Sequence, residues 1–340
     1  LSASPRIVLL NPTCLDALHL HREWIATLGV ELVADEAVRN LQPQQVDSVL
    51  AGADALILPA AIRSLPLAEQ MEQHRNLKIL SIAAIGHDWL DVDAATRNGI
   101  VVTNAPAREG IEVVAELTLG LMIDVARQVS YHAQLLRTGG YERGMGRSLW
   151  GKTLGIVGLG NIGKAVARRA TGFGMKLLAA TPRPDREFIR EHQIEVVALD
   201  DLLRRSDFVS LHTSLNAQTR GMIGKRELGL MKPTAFLINA ARDALVDEVA
   251  LTEALSQRTI AGAAMDDPPQ RKDCPLLKLS NFLCTPHLGN RAIEGASAVF
   301  RCAMENAVAV LRGERPASVL NPAVYENPKI RICLNRREPR

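Results

Sequence analysis

Residues 154–163 of this 340-residue chain read LGIVGLGNIG. An apolar strand runs into Gly158, Gly160 and Gly163, and the helix-forming stretch KAVARRA follows. This is the G-x-G-x-x-G spacing in the context that gives it meaning: strand, tight turn, helix. Gly158 lets the chain turn sharply, Gly160 leaves a pyrophosphate room to reach the backbone, and Gly163 lets the helix close on the strand. An anion placed there meets unpaired N–H groups at the positive end of a helix dipole. The pattern points to dinucleotide binding. Two more positions have side chains suited to chemistry. Arg242 follows the apolar strand AFLIN, and a guanidinium fork grips a carboxylate in two places. His287 lies in TPHLG, and an imidazole with an ordinary pKa of about 6.5 gives and takes a proton near neutrality.

The elements that must position these residues alternate between short apolar strands and helical patterns. Strands are expected at 6–10, 54–58, 77–82 and 100–104, which make one α/β unit. A second series at 154–158, 176–180, 207–211, 235–239, 260–266 and 281–285 opens with the glycine turn and describes a Rossmann domain. Between the two series, residues 113–136 have apolar side chains at helical spacing, which predicts one helix of more than 20 residues. A last long helix at 292–313 follows the final strand and is expected to return to the first unit. The fold class is therefore α/β: two Rossmann-like domains, the dinucleotide-binding one inserted in a flavodoxin-like substrate domain. The expected boundaries are 1–104 with 292–328 for the substrate domain and 105–291 for the NAD(P)-binding domain. A polar, basic tail at 329–340 is expected to be poorly ordered.

Composition narrows the classes of function. Two domains suit the length, and 47% hydrophobic with 23% charged residues is ordinary for a globular protein. A net charge of +3 and 4% aromatics argue against a nucleic-acid partner. No apolar run reaches the roughly 18 residues of a membrane span. The opening LSASPRIVLLNP lacks the charged and long apolar regions of a signal peptide. Five scattered cysteines without C-x-x-C spacing suit reduced thiols and a cytoplasmic location. His19 and His21, at i and i+2, do not converge on one helix face, so no metal site is expected.

With these residues in view, the chain resembles the D-isomer-specific 2-hydroxyacid dehydrogenases, which include phosphoglycerate, glyoxylate/hydroxypyruvate and formate dehydrogenases. The resemblance runs from about 50 to 322 and rests on GKTLGIVGLGNIGKAVARRATGFGMK (151–176), LHTSLNAQTRGMIG (211–224), LMKPTAFLINAARDALVDEVAL (230–251) and CTPHLG (284–289). It implies two Rossmann-like domains with the active site in the cleft between them, and a homodimer built largely through the cofactor domain, with the 113–136 helix near that interface. It implies that Arg242 binds the substrate carboxylate and that His287 is the acid/base. Asn161 and Ile162 would contact the pyrophosphate. His212, Thr213 and the backbone near Ala240 would line the nicotinamide, and Asp266 would hydrogen-bond its carboxamide. Ala84, Ile85 and Gly86 would offer backbone N–H groups to the substrate. The implied partner is a small 2-oxo or 2-hydroxy acid.

The chain departs from the family pattern in four places. The family's glutamate partner of the histidine, in a segment like D-V-F-E-x-E-P, is missing from AMDDPPQRKDCPLLKL (264–279), which leaves Asp267 or Asp273 as the carboxylate. An imidazolium without such a partner loses a favourable charge, which predicts slow turnover or a shifted pH optimum. Asp243 stands after Arg242 where a glycine is common. The loop IAAIGHDWLD (82–91) lacks the basic residue often found there, which disfavours a large dianionic substrate and a phosphite-type oxyanion, and His87 and Trp89 are expected to serve packing. After the second Rossmann strand, where NAD-selective domains place an acid, stands Thr181, with Arg183 two residues on. That pair leaves NADP or NAD open and tilts toward NADP. Two readings follow: a 2-oxoacid reductase, or a catalytically weakened dinucleotide-binding scaffold or redox-sensing regulator.

Overall fold

The computed structural model describes residues 4–10, 12–34, 45–59, 67–269 and 273–333. The chain divides into two compact units, Leu1–Gly110 with Arg291–Arg340, and Ile111–Asn290. The first boundary comes after Gly110 rather than after 104, since Ala105 is still tied to the first unit by its N–H on the Ala84 carbonyl, 2.9 Å away.

The first unit holds β1 (Arg6–Leu9), β2 (Glu31–Val33), β3 (Ala55–Leu58), β4 (Ile79–Ile82) and β5 (Val101–Thr103). They form one parallel sheet in the order β2-β1-β3-β4-β5. Side chains alternate across it, so Ile7, Leu9, Ile57 and Ile79 enter one core while Val8, Leu56, Leu58 and Leu80 enter the other. Both faces are covered, as a parallel sheet requires. The helix Ile293–Leu311 covers the first face with Phe300, Ala303 and Ala307, and Ser81 Oγ donates to the Ala303 carbonyl at 2.9 Å. The last helix thus completes the core begun by the first strand. β2 escaped the sequence reading because its three residues are exposed or only half-buried and carry little apolar signal. The expected tail is partly docked: Arg331 donates to the carbonyls of Met71, His74 and Leu77, and Ile332 is buried. Residues 334–340 lie outside the described residues.

The second unit holds β6 (Thr153–Val157), β7 (Lys176–Ala180), β8 (Glu195–Val196), β9 (Phe208–Leu211), β10 (Phe236–Asn239), β11 (Gly262–Met265) and β12 (Phe282–Cys284). All pair in parallel, in the order β12-β11-β10-β9-β6-β7-β8. β8, two exposed residues long, was not foreseen. The single helix expected over 113–136 is two helices, Arg108–Arg127 and Val129–Arg137. Gln128 between them is left-handed at φ +51, and the Asp124 carboxylate accepts the Ser130 N–H at 2.8 Å to cap the second helix. Apolar spacing persists through the break, which is why periodicity did not register it.

Register does the positioning. Val157 pairs with Leu211, Leu211 with Asn239, Asn239 with Met265, and Met265 with Cys284. The loops after β6, β9, β10, β11 and β12 therefore leave one edge of the sheet. In open α/β sheets ligands bind outside that carboxyl edge, where strand order reverses. Here the reversal lies between β6 and β9.

Candidate active site

The turn after β6 explains its three glycines separately. Gly158 has φ +94, and a Cβ there would lie 2.7 Å from the His212 carbonyl oxygen. A Cβ on Gly163, buried in the helix Asn161–Gly172, would strike the Gly158 carbonyl. Gly160 faces open space, with nothing within 4 Å of its missing Cβ. It is also the N-cap of that helix and offers no side chain to its N–H groups. A cradle with clearance at Gly160 and uncapped donors fits a dinucleotide pyrophosphate. Asn161, exposed, and Ile162, half-buried, lie in the first turn of the same helix.

Thr181 directly follows β7 and is half-buried, and Arg183 is exposed. Sequence reasoning missed Lys164, whose Nζ reaches from the glycine-turn helix to Asp185 Oδ2 at 2.6 Å.

His212 follows β9, with Thr213 next to it against the Gly158 turn. Its Nε2 lies 2.7 Å from the Oγ of the buried Ser210. Burial lowers its pKa to about 4, so the ring is neutral at physiological pH. The signal for this pair is the period-2 spacing in S-L-H, which puts residues 210 and 212 on one face of a strand.

Arg242, Asp267 and His287 stand on three successive loops. Asn239 shapes the first: its Oδ1 accepts the Ala241 N–H at 3.1 Å and its Nδ2 donates to the Arg242 carbonyl at 2.6 Å, a closed turn that includes Ala240. Arg242 Nη1 donates to the Ala241 carbonyl at 2.8 Å. Asp267, 5% exposed, lies with Oδ1 3.2 Å from His287 Nδ1, and its Oδ2 accepts the Asp243 N–H at 3.3 Å. Burial pushes the Asp267 carboxyl up. The hydrogen bond and charge of His287, the Asp243 N–H and the Arg242 charge together outweigh it and leave the group below its ordinary range. Of the two carboxylates the sequence left open, Asp267 is therefore the one that meets the histidine. Asp273 is exposed, and residues 270–272 of that loop lie outside the described residues. Asp243 Oδ1 accepts the Ala244 N–H of its own turn at 2.7 Å.

His287 is left-handed at φ +58, uncommon for a residue with a Cβ. Asp266 holds it there. This buried carboxylate accepts the Thr285 hydroxyl at 2.5 Å and the N–H groups of Leu288 and Gly289 at 2.7 Å each. The group expected at the nicotinamide carboxamide thus takes three donors from the histidine loop.

In the first unit, Ala84, Ile85 and Gly86 follow β4. Their turn is pinned by the Ala105 N–H on the Ala84 carbonyl and by Asn104 Nδ2 on the Ile85 carbonyl, both at 2.9 Å. Trp89 packs against the core beside them. His19 and His21 diverge: His19 is exposed, while His21 is buried, with Nε2 2.8 Å from Ser297 Oγ.

Fold and site define a doubly wound α/β protein with a dinucleotide turn and a histidine–carboxylate pair beside it. The family model for the NAD binding domain of D-isomer specific 2-hydroxyacid dehydrogenases matches residues 119–289. The D-3-phosphoglycerate dehydrogenase of Methanocaldococcus jannaschii is 38% identical over 309 residues, 89% of this chain and 58% of that protein's length. The glyoxylate reductase of Korarchaeum cryptofilum is 40% identical over 270 residues, 76% of this chain and 80% of its own. A crystal structure of a Thermus thermophilus protein superposes with a TM-score of 0.77 at 33% identity, covering 93% of this chain and 99% of that one. The chain belongs to the D-isomer specific 2-hydroxyacid dehydrogenase family, whose members are oxidoreductases.

Proposed function

We propose that the chain reduces a small 2-oxo acid to the D-2-hydroxy acid, reversibly, with NADP(H) favoured over NAD(H). The observation that carries this reading is the 3.2 Å contact between His287 Nδ1 and Asp267 Oδ1, on loops leaving the same sheet edge as the glycine turn. A carboxylate only accepts, so Nδ1 carries the hydrogen toward Asp267 and Nε2 is the atom that exchanges a proton with substrate. Asp267 stabilises the charged ring, the task the missing glutamate left vacant. Arg242 holds the substrate carboxylate and polarises its carbonyl. The dinucleotide, when bound, supplies the hydride. Gly158, Gly160, Gly163, Asn161 and Ile162 hold its pyrophosphate, His212, Thr213 and Ala240 flank its nicotinamide, and Thr181 with Arg183 receives its adenosine ribose. By the family resemblance, Ala84, Ile85 and Gly86 offer backbone N–H groups to the substrate.

The Asp267–His287 contact favours a working enzyme over a scaffold, because it answers one of the two departures behind the scaffold reading, a histidine without a carboxylate; the other is Asp243 beside Arg242. The missing family glutamate then need not slow turnover. The exposed apolar run Val129, Tyr131, Leu136, Tyr141 and Trp150 supports a homodimer through the cofactor unit. The scattered thiols, of which Cys14 and Cys284 are pushed up mainly by burial, suit a cytoplasmic protein.

The test is NADPH and NADH oxidation against a panel of 2-oxo acids, beginning with glyoxylate and hydroxypyruvate, with His287→Ala as control. Turnover abolished in the variant is expected. Tight dinucleotide binding with no turnover on any 2-oxo acid would overturn the reading.

A further inference from the structure

The turn after β7 contains an ion pair that this reading leaves without a role. Lys164 lies in the helix Asn161–Gly172, one residue beyond the last glycine of the motif, with Nζ 2.6 Å from Asp185 Oδ2. Its ammonium also stands 5.4 Å from the Phe188 ring centroid, and the Arg168 guanidinium stands 6.0 Å from the same centroid. Asp185 caps the short helix Arg186–Glu191, with Oδ1 accepting the Phe188 N–H at 3.3 Å. The Lys164 hydrogen bond first, and that cap next, hold the Asp185 carboxyl below its ordinary range.

NAD-selective Rossmann domains place an acid after the second strand, where it accepts from the ribose 2′-OH and repels a 2′-phosphate. In this chain the first acid after β7 is Asp185, and it already has a counter-ion. We propose that Lys164 sets the choice between the two dinucleotides by neutralising Asp185, so that the turn at Thr181 and Arg183 admits a 2′-phosphate. The inference rests on the reading that this turn receives the adenosine ribose. It adds a specificity residue on a different element from the turn itself. The pair joins the helix that takes the pyrophosphate to the loop that takes the ribose, so one side chain serves both ends of the adenosine half.

Calorimetric titration of the full chain with 2′,5′-ADP and with 5′-AMP reads the effect without turnover. Lys164→Met keeps the helix and the cover over Phe188 but leaves Asp185 uncompensated. It is expected to lower the affinity ratio of 2′,5′-ADP to 5′-AMP about tenfold, the scale of one unit charge near a phosphate at a protein surface. Asp185→Asn removes the charge and retains the cap. Added to Lys164→Met, it is expected to bring the ratio back to within about twofold of wild type. A ratio that Lys164→Met leaves unchanged, or a loss that Asp185→Asn does not repair, overturns the proposal. A wild-type ratio near one counts against the NADP preference alone, because the change on substitution is read separately. Failure of the wild type to bind either nucleotide removes the ribose site and the proposal with it.

Discussion

The strands of the two sheets are built alike and end differently. In both units parallel strands bury apolar side chains on each face. In the second unit the carboxyl ends pass into Gly158, His212, Arg242 and Asp266, with Asn239 closing β10, all residues whose side chains, or lack of one, do specific work. In the first unit β4 passes into Ala83, Ala84 and Ile85, which offer only backbone, and the shaping is done by Asn104 after the next strand. One sheet edge carries glycine and ionisable side chains, and the other a backbone turn pinned by two hydrogen bonds.

The largest effect that sharpens this contrast belongs to His287. His287→Asn is expected to lower kcat by about a thousandfold, the range for loss of a general acid. Direct titration of NADPH should give an unchanged Kd. If NADPH binding weakens in parallel, the histidine loop serves the cofactor and the contrast fails.

Gly158→Ala comes next. A left-handed φ and the His212 carbonyl 2.7 Å from the new Cβ both oppose it. Thermal or urea unfolding should show a loss of about 3 kcal/mol, the upper range for one strained backbone position. Gly160→Ala, placed in open space, should leave stability nearly unchanged and weaken dinucleotide binding instead.

His212 gives a pH signature. Its folded pKa, about 4, lies below the roughly 6.5 of an unfolded histidine. Between those values the unfolded chain binds the proton and the folded one does not, so this contribution is full above about 6.5 and is lost as pH falls toward 4. Relative to wild type, His212→Gln should flatten the fall in stability across that window by about 3 kcal/mol. Parallel curves would mean that the ring is not buried neutral.

The smallest effect is expected in the first unit. Asn104→Ala frees the Ile85 carbonyl and strands the Ser318 hydroxyl that donates to Asn104. It should cost about 1–2 kcal/mol of stability. Steady-state kinetics should show KM for the 2-oxo acid rising several-fold with kcat nearly constant. A kcat loss as large as that of His287→Asn would erase the distinction between the two edges.

The contrast also explains what was legible in the sequence. Strand, turn and helix around the glycines announced themselves because apolar runs and glycine spacing are local signals. His287 and Arg242 could be placed because each follows a strong strand. What stayed hidden is long-range. Asp267 meets His287 across 20 residues of sequence, and only the pairing of β11 with β12 brings their loops together. The Lys164–Asp185 pair likewise depends on β6 lying beside β7. Asp266 is expected at the cofactor, and nothing local says that it also takes the N–H groups of Leu288 and Gly289 from the neighbouring loop. The break at Gln128 was missed for the opposite reason: the apolar pattern continues through it.

The position of the helix Ile293–Leu311 has a consequence for synthesis. Its Phe300, Ala303 and Ala307 seal a core whose other wall, Ile7, Leu9 and Ile57, leaves the ribosome well before them. Between those two events the entire seven-stranded unit is translated. The second unit holds a contiguous stretch and can mature as it emerges, whereas the first waits, one apolar face uncovered, until Ile293–Leu311 has been made. A ribosome that slows or stalls within residues 111–290 lengthens the time for which Ile7 and Leu9 lie uncovered.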